Sequence, residues 1–101
     1  MEKEKPRLVE ITPSAIKDMD SISAYIAEQG YPETAEKFIN RMLKYIFSLY
    51  IYPSIHSPCR FKKFKRHTWH CAIFENNYII AYKIFKFKIV VHAVINGARL
   101  K

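Results

Sequence analysis

Along the first half of the chain apolar residues recur every three or four positions; along the second half they crowd into short runs broken by turn residues. Ala15, Met19, Ile22 and Ile26 form one such stripe. The spacing predicts a helix, because side chains three and four apart share a helical face. Thr12 can cap its start with Pro13 in the first turn, and Gly30 can stop it. Pro32 opens a second helix, with Glu33 and Glu36 near its positive end. Its apolar face runs Ala35, Phe38, Ile39, Met42, Ile46 and Leu49, and Pro53 closes it. So short a link predicts an antiparallel helical hairpin. Ahead of both, "RLVEIT" (7–12) alternates weakly and reads as a short strand.

From Arg60 the period changes. β-Branched and aromatic residues dominate, and "RFKKFKR", "TWHCAIFE", "YIIAYKIF" and "KIVVHAVI" read as four strands. Asn76-Asn77 predicts a tight hairpin turn, since asparagine tolerates positive φ. No parallel crossover fits between these runs, so they should form an antiparallel meander. The expected fold class is α+β: an N-terminal strand and a helical hairpin packed on one face of a four- to five-stranded, mainly antiparallel sheet. In "YIIAYKIF" and "IVVHAVI" both alternating faces are apolar. One helical layer covers one face, so the second is expected to be an exposed apolar patch awaiting a protein partner. Loops or tails of the chain itself are the other possible cover.

The 101 residues suit one domain, with residues 1–6 as a flexible tail. "MEKEKPR" has no apolar stretch behind its charges and does not read as a signal peptide. No run is long enough to cross a membrane. Two cysteines and no export signal predict a cytoplasmic chain with both thiols reduced.

Charge adds something the pattern does not. The formal net charge is +8, and it is segregated. Residues 1–50 carry seven Lys/Arg against eight Asp/Glu, a balance of −1; residues 51–101 carry ten against the single acid Glu75, a balance of +9. That asymmetry predicts a polyanion or a strongly acidic partner for the second half. A solvated basic surface is the plain alternative. The focus is "CRFKKFKRHTWHC", with five basic residues among the seven from Arg60 to Arg66. Arg60, Lys62, Lys63, Lys65 and Arg66 are the candidate contacts to nucleic acid or another target, with interleaved aromatics able to stack on bases. Edge-strand lysines also defend against aggregation.

Other chemistry is poorly supported. Cys59, His67, His70 and Cys71 are metal-ligand types, yet no Cys-x-x-Cys pair exists and adjacent strand residues point to opposite faces, so no metal or other cofactor is expected. There is no G-x-S-x-G, no paired carboxylate in the basic half and no glycine-rich phosphate loop. No small-molecule ligand is expected.

The helix segment "DSISAYIAEQG", the "AEKFINR" of the second helix, the Leu49-to-Pro53 exit, the strand "YIIAYKIF" and the ending "IVVHAVINGAR" occur in an order and spacing that resembles the RelE/ParE superfamily of type II toxin–antitoxin toxins, from about Arg7 to Arg99. The resemblance implies a cytoplasmic, plasmid-stabilisation type toxin held by an acidic antitoxin, which would cover Ile79, Ala81, Lys83 and Phe85. RelE-like members cut messenger RNA in the ribosomal A site, and ParE-like members block DNA gyrase. RelE-like nucleases often carry an arginine where Ile79 follows Tyr78, and a histidine where Asn96 stands. The nuclease set is therefore incomplete, and the gyrase-type branch is favoured. Were the chain a metal-free nuclease, His70 or His92 would be the base, with Arg99 among the charge-stabilising groups. A non-toxic basic nucleic-acid-binding module is the alternative from a different class.

Overall fold

The computed structural model of the chain describes residues 8–30, 32–51, 58–59, 64, 68–75 and 77–97. The elements run β1 (Leu8–Ile11), α1 (Pro13–Glu28), α2 (Pro32–Phe47), a 3₁₀ turn (Ser48–Tyr50), β2 (His70–Phe74), β3 (Tyr78–Ile84) and β4 (Lys88–Asn96). Thr12 caps α1 as its sequence position predicts, its Oγ1 accepting the Ala15 N–H at 3.1 Å. Gly30 leaves α1 at φ +93, a conformation that costs glycine nothing. α2 buries Ala35, Phe38, Met42 and Ile46 on the stripe its spacing predicts.

The four strands lie in the order β1-β4-β3-β2. β2, β3 and β4 form the expected antiparallel meander, while β1 pairs parallel to β4. Both helices lie against one face. There Ala72, Phe74, Ile80, Tyr82, Ile89, Val91 and Val94 meet Ala15, Met19, Phe38, Met42, Ile46 and Leu49. Phe38 anchors this layer, its ring edge-on to Phe74 at 5.6 Å and tilted on Tyr78 at 5.1 Å.

Two expectations change. The left-handed residue of the β2–β3 turn is Glu75, at φ 49, rather than the asparagine pair; Asn76 itself lies outside the described residues. Arg41 of α2 holds Glu75 with a fork of hydrogen bonds at 2.7 and 3.2 Å. The sheet's second face is an exposed apolar patch only in part, at Ile73 of β2, which is 57% exposed, and at Phe85. Ile79, Ala81, Val90 and Ala93 are buried. Over Ala81 and Ala93 pack Cys59, Phe64 and Trp69, so the chain covers part of that face itself. The predicted strand over 60–66 lies outside the described residues except for Phe64, which is 3% exposed and not part of a strand.

Candidate functional site

β4 is longer than its partner on the outer edge. β1 ends opposite Val91, and β4 continues to Asn96. Beyond Val91 no described strand pairs with that edge, and α1 runs beside it instead. A polar row on α1 (Ser14, Asp18, Ser21 and Tyr25, four, three and four residues apart) faces the gap. The gap is a groove of about 650 Å³, closed at its far side by Trp69 and His92. Asp18 does what a strand would have done there: its Oδ2 accepts the Val94 N–H at 3.0 Å.

His92 enters this site through an irregularity. Ala81 pairs with Ala93 but Tyr82 pairs with Val91, leaving His92 as the extra residue of a bulge in β4. Its ring stacks on Trp69 at 4.6 Å and 8°. Trp69 in turn lies 5.4 Å from Phe64. His92 follows helix-facing Val91 onto the second face, and the bulge puts Ala93 there beside it, next to the ring cluster.

His70 goes the other way. In β2 it shares the helix-facing side with Ala72 and Phe74, opposite Tyr82, and its ring stacks on the Tyr82 ring at 5.7 Å. Its Nδ1 is buried without a hydrogen-bond partner. The two candidate bases are therefore separated by the sheet. Burial pushes the Tyr82 hydroxyl up to about 12, so it stays protonated at any physiological pH.

The remaining sequence candidates divide. Arg60, Lys62, Lys63, Lys65, Arg66 and Arg99 lie outside the described residues. Ile79 and Ala81 are buried, Lys83 is half-buried and Phe85 is exposed, with the Lys83 and Lys88 ammonium groups 5.2 and 5.6 Å from its ring centre. Among the described residues no three His, Cys, Asp or Glu side chains converge as a metal site would require.

Cys59 and Cys71 are joined in a disulfide, correcting the expectation of two reduced thiols. The expectation rested on two cysteines without an export signal, and compartment says nothing about which residues meet: Cys59 lies alongside the start of β2, next to Cys71. The Cys59 N–H donates to the Trp69 carbonyl at 2.9 Å, and Pro58 bridges His70. The groove was missed as well. Its signal in the sequence is the polar row on α1, which an apolar-stripe reading passes over.

Comparison with known proteins agrees with this architecture. A family model, "ParE toxin of type II toxin-antitoxin system, parDE", matches residues 9–100. Among solved structures the chain is similar to one described as "Chromosomal ParDE TA system from P. aeruginosa", with a TM-score of 0.75 and 14% identity over 90% of this chain and 96% of that one. At that identity the likeness shows a shared fold. A search of curated protein sequences finds no match.

Proposed function

We propose, for a chain that belongs to the family of ParE toxins of type II toxin–antitoxin systems, that it inhibits growth by acting on DNA gyrase and is held silent in the cytoplasm by an acidic antitoxin. The observation carrying the choice of target is the separation of the two candidate bases. His70 stacks on Tyr82 on the helix-covered side and His92 on Trp69 on the other, so whichever served as base would have no second histidine beside it as acid. The absence of the RelE-type arginine at Ile79 supports the same choice.

The antitoxin reading draws on charge and on the groove. A balance of +9 over residues 51–101 favours an acidic partner. The groove between α1 and the end of β4, with Trp69 and His92 in its lining, suits an extended peptide segment laid into it. Exposed Phe85, with lysine ammonium groups beside its ring, forms a separate surface at the opposite end of β3 from this groove.

The test pairs two reactions with the purified chain. In the first, gyrase supercoils relaxed plasmid; the expected result is loss of supercoiled product as toxin is added. In the second, a cell-free translation reaction is followed by primer extension on the message, which should stay intact. Message cut at A-site codons, with the cuts lost in His92→Ala, would replace gyrase by the ribosome as target.

A further inference from the structure

The cysteine pair sits at the join between the two parts of the second face. Cys71 belongs to β2, and Cys59 belongs to the segment that lies over the sheet. Their Cα atoms are 4.9 Å apart, and the backbone pairs there on its own account through Cys59 N–H to Trp69 O and the Pro58–His70 bridge. Breaking the sulfur bond therefore leaves the two thiols beside one another, able to re-form it without a search. Cys59 is buried, at 8% exposure, and Cys71 is half-buried, so Cys71 is the sulfur an incoming reagent meets first. In a reducing cytoplasm such a bond is transient, and transient cytosolic disulfides are as a rule catalytic or redox-sensing. Among the described residues its apolar neighbours are Phe64, Trp69, Ala81, Ala93 and Ile95.

We propose that Cys59 and Cys71 form a redox-responsive clamp over the second face of the sheet. As a disulfide the pair fixes Cys59, Phe64 and Trp69 against Ala81 and Ala93. As two thiols it leaves that cover held by apolar contact and by the Cys59–Trp69 and Pro58–His70 backbone pairing, without a covalent tie. Trp69 carries the effect across the sheet, since it stacks on His92 of β4 while its own carbonyl receives the Cys59 N–H.

The chemistry is thiol–disulfide exchange with a small-molecule disulfide of the oxidised glutathione type. One cysteine thiolate attacks that disulfide, forming a mixed disulfide and expelling one glutathione thiolate. The second cysteine thiolate then attacks the protein sulfur, closing Cys59–Cys71 and expelling the other. The protein pair loses two electrons and two protons, and one glutathione disulfide becomes two thiols.

The inference is independent of the toxin's target, and its test needs no activity assay. Trp69 is the single tryptophan of the chain and touches the clamp, so its fluorescence reports the clamp directly. The full chain is equilibrated in glutathione buffers of graded oxidation. Free thiols are counted by alkylation and mass, and Trp69 emission and binding of an apolar-surface dye are recorded in parallel. The expected result is two thiols at the reducing end, none at the oxidising end, and one midpoint shared by all three readouts. Dye binding should rise severalfold on reduction. Cys59→Ser and Cys71→Ser, either of which suffices if the other does not fold, should abolish the redox dependence of the emission. Thiols that stay unpaired in oxidised glutathione would overturn the proposal. So would a bond that survives strongly reducing buffer, which would make it a permanent staple, or pairing that leaves both Trp69 emission and dye binding unchanged.

Discussion

Replacing Asp18 by alanine removes the group that ends β4's outer edge. The Oδ2–Val94 N–H bond is 3.0 Å long and partly buried. A hydrogen bond to a charged acceptor contributes about 1.5–3 kcal/mol, and a buried N–H left without a partner costs about 1–3 kcal/mol. The groove beside it is open enough for water to take the vacated position, so the lower half of that range applies: about 1.5–2 kcal/mol. Alanine also suits a helix interior better than aspartate, which returns up to ~0.7 kcal/mol. Asp20→Ala, an exposed position on the same helix, measures that second effect alone. The net loss for Asp18→Ala should therefore be about 1 kcal/mol, while Asp20→Ala should be neutral or slightly stabilising. Urea denaturation followed by circular dichroism gives both numbers, and an unchanged m-value assigns the loss to the folded state. Thermal midpoints should fall by about 4–8 °C for Asp18→Ala. Asp18→Asn keeps an acceptor oxygen and should fall between the two. If Asp18→Ala and Asp20→Ala agree within ~0.3 kcal/mol, the bond does not hold this edge and the reasoning fails.

Other consequences can be checked with the same denaturation assay. The Tyr82 hydroxyl is held to about 12, above its unfolded value, so its contribution is complete below pH 10 and is lost as pH rises toward 12. That loss is on the order of 2 kcal/mol, and Tyr82→Phe should flatten most of the alkaline decline. Glu75 behaves oppositely: the hydrogen bond and charge of Arg41 lower its carboxyl, so the pair's small exposed contribution is present above the unfolded pKa and disappears as pH falls through the folded one. Glu75→Gln should remove that acid-side dependence, and a wild-type-like acid slope in the variant would reject the pairing. His70→Phe relieves a buried nitrogen with no partner and should raise stability by about 1 kcal/mol. It should also leave growth inhibition intact, whereas loss of inhibition in a folded variant would return His70 to the chemistry. Met42→Ala, emptying the space of a fully buried side chain between helix and sheet, should cost about 2–5 kcal/mol in urea midpoint-derived stability.

How legible the chain was depends on whether each feature is written locally. Thr12, Pro13, Gly30 and the stripes of α1 and α2 are local instructions: a cap, a stop and a repeat of three or four hold whatever surrounds them. For the same reason the meander from His70 to Asn96 could be read from runs and turns, and the family's fold followed from their order. Charge segregation is likewise a property of the chain, and it points to a polyanion or a strongly acidic partner.

What the sequence could not contain is which distant residues meet. Alternation puts His70 and Cys71 on opposite faces, but only the register of β2 on β3 says which face carries the helices. Ala93 joins His92 on the second face, and Val94 returns to the helices, because one extra residue enters β4 at a bulge, and no pattern marks that insertion. The apolar second face looked exposed in the sequence because its cover comes from Cys59, Phe64 and Trp69, residues whose own periodicity is broken. Asp18 reads as one more polar position on a helix until β1 stops short at Val91 and leaves a backbone N–H for it to receive. Local propensity is encoded residue by residue; pairing across the sheet is decided by where the chain runs out of partners.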